Sequence, residues 1–350
     1  MKYLLGSEKE FFEFVNSISK KDKIGLISHT DLDGIASAVF LQKILESKDL
    51  KLNFIKFLEY GSEVLKPILN EKIDVLFFTD WNADNFPKDL DLLRKKFRVL
   101  VFDHHPLNPE LKDEKGIIKT ERIYCSSHAL FDLIKEKNYF DTQKMTWLVC
   151  AAIISDYTWD KSDEAFELIK KFYPNVKKDS SIWNSEPGLI GKKISGALIY
   201  YNPNFKKVYE KILKNDLNSL EKVDKIVQKE IEKYLHEFEE KAEHFSKEKL
   251  YFYYNNPKFQ IASSISSIIS DRYFRDSTVI FVTDIKNRKG FVKVSARNQT
   301  MQVNLGNLLK NCIEGFENSS GGGHIQAASA IFPKKYLNKF KENLLKELKN

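Results

Sequence analysis

Residues 99–108 read VLVFDHHPLN, Val99 to Asn108. Four apolar residues in succession suit a strand buried on both faces. Asp103, His104 and His105 follow at once, and Pro106 ends the run. A single polar residue at a strand end is ordinarily a turn residue or the cap of the next helix. Three adjacent groups able to bind a metal or move a proton need another explanation, and the neighbouring segments supply it.

Upstream, "KIGLISH" (Lys23–His29), "LNFIKFL" (Leu52–Leu58) and "DVLFFTD" (Asp74–Asp80) have the same apolar strand character. "DGIASAVFLQKILES" (Asp33–Ser47) carries apolar residues at helical spacing. Further helices are expected from about Ser127 and about Gln143, the second ending near Ser155. Strands alternating with helices predict an α/β domain over residues 1–200, with a mostly parallel sheet covered on both faces. In such sheets a site forms in the crevice beyond the carboxyl ends of the strands. Three predicted strands deliver polar groups there: His29, Asp31 and Asp33 after the first, Asp80 after another, and Asp103, His104 and His105 after a third. Asp156 and Asp160 stand at the end of the helix in "AIISDYTWD".

Residues 201–249 lack glycine, and their mixed charges and helical apolar spacing predict a helical linker. Its alternating signs suit a solvated face better than a grip on phosphates. Residues 250–350 return to alternation and predict a smaller α/β domain. Within it, "SSGGGHIQAAS" (Ser319–Ser329) stands out. Ser/Gly runs are ordinarily flexible loops, but consecutive glycines also let backbone N–H groups approach an anion closely.

The bulk properties narrow the class. With 350 residues, 42% hydrophobic and 30% charged, the chain is an ordinary globular sequence of two or three domains, not a disordered one. No apolar run approaches the ~18–20 residues of a membrane span, and the N-terminus turns acidic too soon for a secretory signal. Cys125, Cys150 and Cys312 have no paired spacing, so a cytoplasmic, disulfide-free protein is expected. The net charge of +7 permits an anionic partner without requiring one.

Oxygen and imidazole donors without thiolate suit Mn²⁺, Mg²⁺ or Zn²⁺, and the Asp/His mixture favours Mn²⁺ over Mg²⁺. Four or more carboxylates at one edge demand the charge of about two divalent ions. Two ions roughly 3.5–4 Å apart, sharing a carboxylate, are suited to hydrolysing a phosphate ester.

"SHTDLDG", "FFTD", "FDHHP" and "IISD", in this order and spacing, resemble the four motifs of the DHH phosphoesterase superfamily. "KVSAR…GGGHIQAASA" is similar to the DHH-associated domain of RecJ-like exonucleases and nanoRNA-degrading relatives. The resemblance implies that His29 and Asp31 bind one Mn²⁺, that Asp33, His104 and Asp156 bind a second, and that Asp80 bridges them. It implies that His105 faces the substrate phosphate, and that Arg297, the backbones of Gly321, Gly322 and Gly323, and His324 hold substrate phosphates. Adjacent strand residues point to opposite faces, which separates the duties of His104 and His105 and leaves Asp103 to support an imidazole from behind. The implied function is Mn²⁺-dependent release of mononucleotides from single-stranded DNA or RNA. Alternatives are hydrolysis of nanoRNA, a cyclic dinucleotide or a 3′-phosphonucleotide, or a scaffold that binds replication or repair proteins such as GINS complexes.

Overall fold

A computed structural model describes residues 1–61, 65–111, 115–137, 141–286 and 288–349. The chain forms two compact units, Met1–Asp224 and Lys225–Asn350. In chain order the first contains β1 (Tyr3–Leu5), α1 (Glu8–Asn16), β2 (Ile24–Ser28), α2 (Leu32–Glu46), β3 (Leu52–Phe57), β4 (Val75–Thr79) and α3 (Pro87–Arg94). It continues through β5 (Arg98–Asp103), β6 (Ile117–Thr120), α4 (Ser126–Lys137), α5 (Thr146–Ser155), α6 (Thr158–Lys161), α7 (Asp163–Phe172), α8 (Glu186–Tyr201) and α9 (Lys206–Leu213).

The strand order is β1-β6-β5-β4-β2-β3. All pairings are parallel except that of β1 with β6. The sheet is buried on both faces, so β2 and β4 are uniformly apolar until their last residue. One face packs against a core that includes α2, α4 and α5; the other packs against a smaller cluster around Phe78, Trp81 and Leu90. The chain runs from β2 to β3 on one side, then returns to place β4 and β5 on the other. The topological switch point therefore lies between β2 and β4, where a crevice opens beyond the strand ends. The two ends are tied side to side: the Thr79 hydroxyl donates to Ser28 Oγ at 2.9 Å, and Ser28 Oγ donates to the Gly34 carbonyl at 2.7 Å.

The segment expected as a separate linker over residues 201–249 is divided between the two cores. Val208, Tyr209 and Ile212 of α9 are buried in the first, and the Tyr209 hydroxyl bonds Gln42 of α2. Helix α10 (Leu217–Lys241) crosses the boundary: Leu220 joins the first core, while Phe238 packs with Tyr251, Tyr253 and Phe274 of the second unit. Apolar spacing was legible in this segment; which core each turn would meet was not.

The second unit continues with β7 (Glu243–Phe245), β8 (Leu250–Tyr254), α11 (Ala262–Arg272), β9 (Thr278–Asp284), β10 (Phe291–Arg297), α12 (Leu305–Cys312), β11 (Ser320–Gly323), β12 (Ala327–Pro333) and α13 (Leu337–Glu347). Its sheet, ordered β11-β12-β10-β9-β8-β7, is antiparallel except between β8 and β9. His244, expected on a linker helix, instead lies on β7, stacked on Tyr251. All three cysteines are buried and free. Among the described residues, no helix is long and apolar enough to cross a membrane.

Gly34 is the tightest constraint on the first crossover. A Cβ at this position would stand 2.4 Å from the His29 carbonyl oxygen, so backbone would have to move. We expect Gly34→Ala to lower unfolding free energy by about 1–3 kcal/mol in urea denaturation. An unchanged midpoint would contradict this packing.

Candidate metal centre

Both aspartates at the turn from β2 into α2 are anchored to helix N-termini. Asp31 caps α2, its Oδ1 accepting from Gly34 N–H at 2.9 Å, which leaves Oδ2 directed elsewhere. Asp33 accepts from the Ser126 and Ser127 N–H groups at 2.8 and 2.9 Å, which open α4. The first N–H groups of α4 are thus satisfied by a carboxylate more than ninety residues away.

Asp80 follows β4 with a φ of 53°, a left-handed conformation that a non-glycine residue rarely adopts. It is 1% exposed, and its two oxygens face different groups. Oδ1 lies 3.4 Å from His104 Nε2 and accepts from Ser126 Oγ at 3.2 Å. Oδ2 lies 4.0 Å from His29 Nδ1, which is itself 3.0 Å from Asp31 Oδ2. His104 Nε2 also faces Asp33 Oδ2 and Asp156 Oδ2, each at 3.9 Å. Asp156 arrives at the C-terminus of α5, and Tyr157 turns the chain away with a φ of 59°. Asp160, two residues into α6, is exposed.

These separations fit a metal centre. Donors about 2.1 Å from a shared ion stand roughly 3–4 Å from one another. Asp80 Oδ2 and both ring nitrogens of His104 are buried without a hydrogen-bond partner, a costly arrangement unless a ligand satisfies them. His29, Asp31 and Asp80 form one cluster of donors, and Asp80, His104 and His105 another, with donor atoms in each within 4.8 Å. Asp33 and Asp156 extend the second.

The electrostatics point the same way. Burial and the charges of Asp33, Asp31, Asp103 and Asp156 push the Asp80 carboxyl well above the usual range. Burial, with Asp33 and Asp31, raises Asp156 to about 8. Burial alone would lower His29, but Asp31 and Glu59 outweigh it and raise the imidazole to about 10. Burial lowers His104, keeping it neutral and able to bind a metal.

His105 takes a different setting. Its Nδ1 is 2.9 Å from Asp103 Oδ1, and its ring is partly exposed. Despite burial, the charge of Lys119 and the hydrogen bond from His105 hold Asp103 well below the usual carboxylate range. An ionised carboxylate only accepts, so Nδ1 carries the proton. Nε2 then faces the Tyr60 hydroxyl at 3.1 Å, while the Tyr60 ring stacks on His29 at 4.3 Å.

Lys119, Asp84, Asn82 and Tyr60 went unnoticed in the sequence. Lys119 is fully buried, 2.5 Å from Asp103, 2.7 Å from Asp84 and 2.8 Å from Asn82 Oδ1. The available signal was a lysine in the apolar strand "IIKT". Trp81 and Trp159 are buried packing residues, whereas Tyr157 is 56% exposed.

The remaining candidates lie in the second unit. Arg297 ends β10, its guanidinium donating to Ser263 Oγ at 2.7 Å and Ser267 Oγ at 2.9 Å. Gly321, Gly322 and Gly323 belong to edge strand β11, paired with β12. That corrects the expected nest, because successive N–H groups in an extended strand point to alternate sides. His324 follows, exposed.

Two family models match this chain: the DHH family N-terminal domain over residues 23–153 and the DHHA1 domain over residues 248–350. The chain belongs to the DHH superfamily. A manganese-bound exonuclease RecJ matches the DHH protein at a TM-score of 0.74 and 15% identity, covering 98% of this chain and 94% of that one. RecJ from Thermus thermophilus in complex with Mn²⁺ matches at 0.68 and 15%, covering 97% of this chain and 54% of the other, so the chain spans about half that protein's length. CDC45 from Entamoeba histolytica matches at 0.64 and 12%, covering 98% and 99%. These likenesses establish a shared fold. No curated protein sequence matches the chain significantly.

Metal binding requires deprotonated ligands. With Asp156 at about 8 and His29 at about 10 before metal arrives, apparent Mn²⁺ affinity rises with pH through neutrality, as calorimetry should show. The metal-free fold has the opposite dependence at Asp156: its raised pKa favours the fold below about 4, and that contribution fades as pH climbs through about 8. Lys119→Met strands two buried carboxylates and should cost about 3–5 kcal/mol in chemical denaturation; a loss below about 1 kcal/mol would contradict the network.

Proposed function

We propose that this DHH protein is a metal-dependent phosphodiesterase that releases mononucleotides from the end of single-stranded DNA or RNA. The observation supporting it best is Asp80, whose two oxygens face separate donor clusters. His29 and Asp31 would hold one divalent cation, Asp33, His104 and Asp156 a second, and Asp80 would bridge them, with Mn²⁺ favoured. Such a pair, when bound, activates water and neutralises charge developing on a phosphoryl group.

The protein's own residues do the rest. Ser126 and Ser127 N–H groups hold Asp33 in position, and Ser126 Oγ holds Asp80. His105, with Nδ1–H committed to Asp103, presents the acceptor Nε2 beside the Tyr60 hydroxyl, where it can take up a proton at the substrate phosphate. Lys119 keeps Asp103 ionised and so fixes the tautomer of His105. Arg297 and His324 are assigned to substrate phosphates in the second unit, as the motif resemblance implies. A pure scaffold that binds replication proteins has no use for this set of carboxylates and imidazoles.

Mn²⁺ and end-labelled DNA or RNA, from dinucleotides to long single strands, test the proposal. Stepwise mononucleotide release, abolished by chelator and by Asp80→Ala, is expected. Cleavage confined to dinucleotides or 3′-phosphonucleotides would shift the reading to very short substrates, and no cleavage at all would remove it. His104→Ala should weaken metal binding, whereas His105→Ala should keep the metal and lower kcat by about 100- to 10,000-fold.

A further inference from the structure

We propose that the groove between the metal-centre carboxylates and α8 seats the base and sugar of one terminal nucleoside, an inference that rests on the phosphodiesterase reading. The groove lies wholly within the first unit and encloses about 300 Å³. One wall is Asp31, Asp33 and Asp156; the other is Leu198, Ile199 and Phe205, with Ser195 and Asn202 on its rim. Leu198 and Phe205 are each 7% exposed, so the apolar wall is part of the packed core and already formed.

Three features select this occupant. First, the volume is at the low end of small-molecule sites, room for one nucleoside rather than two. Second, the wall beyond the carboxylates is apolar, suited to the flat face of a base. The exposed Ser195 and Asn202 side chains have no hydrogen-bond partner among the described residues, and they offer donors and acceptors to a base edge or sugar hydroxyl. Third, no lysine, arginine or histidine lines the groove, while Asp31, Asp33, Asp156 and Glu59 do. Three of these carboxylates are assigned to the divalent cations, which leaves Glu59: a second phosphate placed beyond the cations would meet that carboxylate and no lysine, arginine or histidine. The groove therefore takes a neutral group beside the phosphate under attack and rejects a polyphosphate chain. It also accounts for release of one nucleotide at a time, since the neutral end occupies the whole space.

The test compares a dinucleotide with the same compound made abasic at the end to be cleaved, and with inorganic tripolyphosphate, all with Mn²⁺. The wild-type protein should cleave the complete dinucleotide with kcat/KM about tenfold or more above the abasic compound, mainly through KM, and should leave tripolyphosphate intact. Leu198→Trp, which fills the groove, should erase that preference. Asn202→Ala, on the exposed rim, perturbs the fold least and should reduce it. Equilibrium dialysis provides a readout apart from turnover: nucleoside monophosphate binding should fall in both variants while Mn²⁺ binding is retained. Equal cleavage of complete and abasic compounds, efficient tripolyphosphate hydrolysis, or undiminished nucleotide binding by Leu198→Trp would overturn the groove assignment and leave the phosphodiesterase reading standing. Failure of the wild-type protein to cleave any diester would overturn that reading instead.

Discussion

Crowded negative charge is the constraint around which the first unit is arranged. Asp31, Asp33, Asp80 and Asp156 converge beyond the ends of β2 and β4, and their mutual repulsion in a buried setting raises Asp80 and Asp156 far above ordinary carboxyls. The fold supplies partial relief: Asp31 caps α2, Asp33 caps α4, and His29 stands against Asp31. The relief is incomplete. Asp80 Oδ2 and both nitrogens of His104 stay buried without partners, and the Asp80 backbone is held in a left-handed conformation. Strain and unsatisfied donors at one point signal a site shaped for a ligand, and divalent cations answer both deficits.

A second layer of charge works differently. Lys119, Asp84 and Asp103 form a closed buried network in which one cation is shared by two carboxylates. Its stake in the site is orientation, since Asp103 fixes the proton on His105 Nδ1. Two adjacent histidines thus have contrasting surroundings. His104 faces three carboxylates and is buried, whereas His105 is clamped from behind by Asp103 and partly open to solvent.

Much of this was legible in the sequence. The apolar runs of β2, β4 and β5 lie within a residue or two of where the pattern predicts them, because strands buried on both faces leave little compositional freedom. The convergence of His29, Asp31, Asp33, Asp80 and His104 was legible through the rule that sites gather at strand carboxyl ends, and that of Asp156, at a helix end, through the motif resemblance. The partners were not. Nothing local marks Asp33 as the cap of a helix more than ninety residues on, or Lys119 as the counter-charge of Asp103. Such pairings depend on which strand ends become neighbours. The glycines of β11 misled for a related reason: three consecutive glycines look like a loop until an edge strand is found pairing them with β12.

The account stands on one carboxylate serving two donor clusters, and counting and coupling bound manganese tests this most directly. Equilibrium titration combined with electron paramagnetic resonance should find two Mn²⁺ per chain, magnetically coupled through a shared ligand. In Asp80→Asn the coupling should vanish and at least one site should weaken. A single bound ion, or two ions with no magnetic coupling in the wild-type protein, would contradict the bridging role of Asp80 and the two-metal site built on it.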